Sequence, residues 1–479
     1  MKIKNFFTKL LRAAAASMRR FPVVLIYCAI AAVIAILITH LNLYEDTLAR
    51  ILAAVMLSAA SAFTINMVFE RLKYKDWKYH IVSAIVSAVF AVIYYIFLLS
   101  NFDSPVTGLR YAFITGAITI AGLIAHYFPK REGIGLYSTR ILVRALTTFL
   151  YSLVIIAGIS AVLFAIDRLL EIHIEGELYT DFIILTGFIF APAFFLGGYP
   201  DYDRQSKRED MPSLLKVLLF YIVMPLCTVY ATILYIYFFK VLITWEWPSG
   251  LVAHLVIWFS VIVLIVFYFT EPVSEERKWP YLFNKVAPFL MLPLIAMMFV
   301  SLGIRINAYG VTVNRYIVLA GGIWVLACML YRCIIQLLKK PAKDIFMPLS
   351  LAVILILSVI GPWSAFSVTF ANQKARLDNI LERYGILYNG SINKKPDVAI
   401  SSDDAVDVTS IISYFKRFDM IKKVSYLPSD FKVDDMEDYL GIKPRYYWEE
   451  NERLQRYLSY NSQASIVDVK GYDYVIYGT

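Results

Sequence analysis

The chain has 479 residues, 59% of them hydrophobic and 17% charged, with a mean hydropathy of +0.63. That much apolar surface does not fit inside one water-soluble globule and defines a membrane protein. The net charge of +9 sits mainly near the ends of apolar runs, where it sets topology, so it calls for no nucleic acid as a partner.

Residues 1–20 form a cytoplasmic basic amphipathic segment. Phe6, Phe7, Leu10, Leu11 and Ala14 stand at helical spacing beside Lys2, Lys4, Lys9, Arg12, Arg19 and Arg20, a pattern that suits the anionic inner interface and membrane lipids as partners. Residues 21–366 are the transmembrane helical domain. Runs of about 18–25 apolar residues recur through it, each enough to cross roughly 30 Å of hydrocarbon as a helix. A β-barrel needs alternating segments about half as long. We place eleven spans at 21–39, 51–69, 81–99, 111–128, 141–166, 181–198, 214–239, 251–270, 286–304, 316–338 and 345–366. The first run lacks a small-residue cleavage site and reads as a retained span. The fold class is mainly α, a polytopic helical membrane bundle followed by a small α+β domain.

The connection after the first span carries Glu45 and Asp46. An acidic pair there, with many spans and an external tail, resembles membrane glycosyltransferases that use lipid-linked sugar donors. In those the first external loop is long, whereas here it is about ten residues, so this is the alternative to a transport or envelope-linked binding function. The following connections alternate in charge. Arg71, Lys73, Lys75 and Lys78 open a series continued by Lys130, Arg131 and Arg140, by Arg204, Lys207 and Arg208, by Arg277, Lys278 and Lys285, and by Lys339, Lys340 and Lys343. Basic residues resist translocation, so the amino terminus is cytoplasmic and an odd number of spans leaves the carboxyl terminus outside a bacterial inner membrane. His126 and Arg144 lie close enough to span ends to reach the cytoplasmic interface.

Pro192 in the sixth span and Pro288 with Pro293 in the ninth mark either kinks or the broken helices of inverted-repeat carriers, kinks being the commoner outcome. No carboxylate lies at the middle of a span, which argues against a proton- or sodium-coupled carrier. Cys28, Cys227, Cys328 and Cys333 fall inside spans without metal-ligand spacing and read as packing residues. No catalytic, cofactor-binding or metal motif is present.

Two external turns hold the candidate site. TWEWPSG, residues 244–250, sets Glu246 between two interfacial tryptophans, and His254 follows one turn into the next span. RINAYGVTVNRY, residues 305–316, supplies Arg305, Asn307, Tyr309 and Arg315 around Gly310, whose freedom at positive φ suits a tight turn. The two arginines either snorkel to outer-leaflet phosphates or pair as a site for an anionic group or for acidic residues of the tail. Glu246 is placed to pair with one of them. The partners implied at the outer face are an envelope protein or a small anionic ligand.

Residues 367–479 are the extracytoplasmic α+β domain. ANQKARLDNILERYG aligns Leu377, Ile380, Leu381 and Tyr384 on one helical face and stops at Gly385. Asn389-Gly390 is a turn signal. Asp403 or Asp404 caps a second helix carrying Val408, Ile411, Ile412 and Phe415, and ASIVDV and YDYVIY form a terminal hairpin beyond Tyr446, Tyr447 and Trp448.

The EWPSG turn at 246–250, RINAYGVTVNRYIVLAGGIW at 305–324 and GPWSAFSVTFANQKARLDNIL at 361–381 resemble a bacterial polytopic membrane family, domain of unknown function 4153. The resemblance implies a membrane protein and carries over no catalytic residue.

Overall fold

A computed structural model describes residues 15–41, 45–74, 76–99, 104–125, 134–169, 173–200, 212–245, 247, 251–271, 277–340, 345–393 and 400–446. Of the basic amino-terminal segment only 15–20 are described, as helix. Among the described residues, ten helices are long and apolar enough to cross a membrane. They are α1 Pro22–His40, α2 Glu45–Arg71, α3 Lys78–Leu98, α4 Pro105–Ile124, α5 Ile134–Leu169, α6 Gly176–Gly197, α7 Leu215–Thr244, α8 Leu251–Thr270, α9 Lys278–Tyr309 and α10 Val313–Leu337.

The eleventh expected span, 345–366, is a correction. Helix α11 covers only Phe346–Val359, 14 residues or about 21 Å, and a new helix α12 runs Ala365–Arg383. Ile360 is extended and Gly361 takes φ +88 before Pro362. Proline disfavours a helical residue ahead of it, and a Cβ on Gly361 would lie only 3.1 Å from the Trp363 ring. The run is apolar throughout, but its backbone leaves the helix at Ile360 and Gly361.

Contacts among helix ends sort the bundle into two ends. At one, Arg20 binds Glu70 at the end of α2 and the carbonyls that follow α6, Ser138 of α5 bonds Tyr268 of α8, and Arg332 of α10 pairs with Glu271. At the other, His40 of α1 meets Asp181 of α6, Tyr111 of α4 bonds the Ala53 carbonyl of α2, and Arg110 stacks on Phe366 of α12. Helix α11 packs along α4, with Phe346 stacked on Tyr331 and the Tyr316 hydroxyl bonded to the Trp363 carbonyl. The segment from Phe346 to Trp363 therefore runs between the same two levels as α10, although α11 covers only part of it.

The prolines widen helices without breaking them. Five residues of π-helix, Thr186–Phe190, come just before Pro192, and six, Leu218–Val223, just before Pro225. Proline has no N–H, and its ring clashes with the carbonyl four residues back, so a wider turn relieves both problems. Pro288 and Pro293 sit inside a continuous α9. All four cysteines are buried and free of disulfides.

The chain divides into two compact units, Met1–Gln373 and Lys374–Thr479, the boundary falling within α12. In the second unit Leu377, Ile380 and Leu381 of α12 are buried, and Gly385 at φ +67 ends the turn after it. Strands β1, Leu387–Tyr388, and β2, Ser391–Ile392, pair antiparallel across Asn389 and Gly390, both at positive φ as a two-residue type I′ hairpin requires. Helix α13, Ser402–Arg417, buries Val408, Ile411, Ile412 and Phe415. Its cap corrects the expectation. Ser401, not Asp403 or Asp404, accepts the Asp404 N–H at 3.1 Å, and the two aspartates occupy the first turn, where their charge favours the helix dipole. Helix α14, Met436–Leu440, closes the described core. The expected terminal hairpin, with Tyr447 and Trp448, lies outside the described residues.

Candidate functional site

The turn between α9 and α10 answers a backbone problem. Helix α9 ends at Tyr309, Gly310 turns the chain at φ +72 with its N–H still bonded to the Ile306 carbonyl, and α10 starts at Val313, leaving the carbonyls of 309–311 and the Val311 N–H to find partners beyond the two helices. At a membrane boundary such groups are costly unless satisfied within the protein. Three side chains satisfy them. Arg315 Nη1 donates to the Gly310 carbonyl at 2.7 Å and to the Tyr309 carbonyl at 3.2 Å. Gln373 Nε2 donates to the same Tyr309 carbonyl at 3.2 Å and to that of Val311 at 3.1 Å. Asn372 Oδ1 accepts the Val311 N–H at 2.7 Å.

Arg315 thus serves its own turn through Nη1. Its guanidinium also lies 5.4 Å from the centre of the Tyr309 ring. The structure brings Tyr309 and Arg315 together as a closed cap, while the outer face of Tyr309 and the Asn307 side chain stay exposed. Arg305 is half-buried on α9, one helical turn before Tyr309. His254 is exposed on the first turn of α8, and Glu246, the partner expected for an arginine, lies outside the described residues. Asn372 and Gln373 were missed as site residues. Their signal was a polar Asn-Gln pair just after Phe370-Ala371 of α12, in a segment where Gln373 is 3% exposed.

At the same end, His40 bridges two carboxylates of α6, with Nδ1 at 2.7 Å from Glu177 and Nε2 at 2.9 Å from Asp181. Glu45 and Asp46, the residues of the glycosyltransferase alternative, open α2, and the charge of Asp46 suits the unpaired N–H groups of its first turn. Among the described residues no group of three or more His, Cys, Asp or Glu side chains is placed to hold a metal ion.

At the opposite end lies a cavity of about 580 Å³, whose lining includes Arg20, Arg140, Arg144, Thr147, Gly198 and Tyr199. Arg20 makes a two-pronged pair with Glu70, at 2.6 and 2.8 Å, and donates to the Tyr199 carbonyl at 2.7 Å. Tyr199 in turn accepts from the Tyr137 hydroxyl at 2.8 Å and packs edge-on against Phe21 and Phe63. Sequence reasoning took these arginines for topogenic or snorkelling charge.

Residues 25–383 match the family model described as Domain of unknown function (DUF4153). The chain belongs to this family. The DUF4153 region ends with α12, so it takes in both the 305–316 turn and the two side chains that fasten it. The chain is also similar to Uncharacterized protein PM1469 of Pasteurella multocida (strain Pm70), with 23% identity over 268 residues, covering 55% of this chain and 45% of that protein. The match thus spans less than half the length of that relative. No solved structure matches the chain.

Proposed function

We propose that this multi-pass DUF4153 protein is a binding or sensing component of a bacterial cytoplasmic membrane, with its amino terminus inside and its second unit outside. Its ligand, an envelope protein with acidic groups or a small anion, meets the outer face at the α9–α10 turn. The observation that carries this reading is the fastening of that turn to Asn372 and Gln373. A ligand that engages Asn307 or Tyr309 acts on backbone held by α12, the helix through which the chain enters its second unit. A coupled carrier is less well supported, because the proline-bearing helices are continuous and the spans lack central carboxylates. The orientation is supported by Lys339 and Lys340, which follow α10 at the end of the bundle marked by Arg20.

The test is complementation of a null strain grown under envelope stress. A chain truncated after Arg383 keeps the DUF4153 region and the fastened turn but loses most of the second unit. Binding or sensing through that unit predicts no rescue by the truncated chain. Rescue equal to the full chain would contradict the proposal and favour a pathway within the helices.

A further inference from the structure

The cavity at the Arg20 end has no part in the outer-face reading. Helix α5 is 36 residues long, about 54 Å, so its first turns extend past a hydrocarbon layer of roughly 30 Å. Arg140, Val143, Arg144 and Thr147 stand at positions i, i+3, i+4 and i+7 on this part of α5, one helical face, and all line the cavity. The facing wall is Arg20, just before α1, together with Gly198 and Tyr199, just after α6. These are helix ends, and they place the cavity at the membrane–water boundary.

Three guanidinium groups line the cavity, and no carboxylate does among the described residues. Arg20 is neutralised by Glu70 outside the lining. Arg144 stacks on Phe194, 3.7 Å from the ring centre, and gives Nη2 to the Phe194 carbonyl, yet its Nε is buried without a hydrogen-bond partner. A buried guanidinium donor left unsatisfied is costly, and planar donor forks favour phosphate oxygens. Gly198 keeps the site in shape, since a Cβ there would overlap the Arg144 guanidinium.

We propose that this cavity binds the phosphate of an anionic phosphate ester, with Arg144 and Arg140 as the charged contacts and Thr147 as a neutral one. The ester is either the headgroup of an anionic phospholipid from the adjacent leaflet or a soluble phosphate ester from the aqueous side.

Full-length protein in zwitterionic phosphatidylcholine nanodiscs is titrated with phosphatidylglycerol and, separately, with glycerol phosphate, bound ligand being counted by native mass spectrometry. Phosphatidylglycerol held about tenfold more tightly than added phosphatidylcholine supports the site with lipid as its source. Saturable glycerol phosphate binding without that preference supports it with a soluble source. Arg140→Gln with Arg144→Gln should weaken the preferred ligand at least tenfold, and Arg144→Lys, which keeps charge but loses the fork, by a smaller factor. Neither probe showing selective binding to the wild type overturns the proposal without recourse to any variant. So does a preference unchanged in both variants.

Discussion

Replacing Gln373 by Leu keeps most of the side-chain volume and removes the amide that donates to two carbonyls. The Tyr309 carbonyl retains Arg315, so the main loss falls on the Val311 carbonyl, whose partner Gln373 supplies at 3.1 Å. Gln373 is 3% exposed, so water does not readily take its place. A buried acceptor left unsatisfied costs about 1–3 kcal/mol, a factor of roughly 5 to 150 in the folding equilibrium. The four buried cysteines provide the assay. In detergent, a thiol-reactive fluorophore labels them only as the bundle opens, and Gln373→Leu should lower the labelling midpoint by on the order of a few °C. Asn372→Ala, which strips the acceptor from the Val311 N–H, should act in the same direction. Midpoints unchanged in both variants would show that the turn is not held by α12 and would refute the reasoning.

Arg315→Ala should destabilise the bundle by about 1–2 kcal/mol in the same assay, because charge-assisted bonds to two carbonyls are lost. Arg315→Lys should cost less, since both bonds come from a single nitrogen. Ser401→Ala should cost about 1 kcal/mol, seen as faster amide hydrogen exchange along α13 in the full chain. The Tyr384 hydroxyl, donating to Asp404 at 2.7 Å, holds that carboxyl below its usual value despite partial burial, with help from Ser401 and Arg383. Because the folded value is the lower one, this stabilisation is complete above the unfolded value and is lost as pH falls through the folded one. Protection of the α13 amides, relative to their intrinsic exchange at each pH, should therefore fall below about pH 4, and Asp404→Asn should blunt that acid response.

The helical bundle was legible because a spanning helix needs only length and apolarity, and both are local. The same reasoning read straight through Gly361-Pro362, where hydropathy stays high while the backbone turns out of the helix. In the second unit, the face of Leu377, Ile380 and Leu381 and the Asn-Gly hairpin followed from spacing and turn chemistry. The cap of α13 did not, since SerSerAspAsp offers several competent residues and only the geometry selects Ser401. The site was least legible. Arg315 reads in sequence as a ligand for an external anion, but it also holds two carbonyls of its own turn, and Gln373 reaches that turn from more than sixty residues away. No sequence window contains such a contact. Arg144 was dismissed as a snorkelling charge because the cavity it lines is built from three separate helix ends.

The most direct measurement is residue-by-residue accessibility in intact bacterial cells, using single cysteines at Lys73, Asn307, Lys340 and Tyr388 and a membrane-impermeant maleimide. With the turn and the second unit outside, Asn307→Cys and Tyr388→Cys are labelled in intact cells, whereas Lys73→Cys and Lys340→Cys react only after permeabilisation. Protection of Tyr388→Cys in intact cells, or labelling of Lys340→Cys, would contradict the assigned orientation and with it an outer-face role for the Arg305–Arg315 turn.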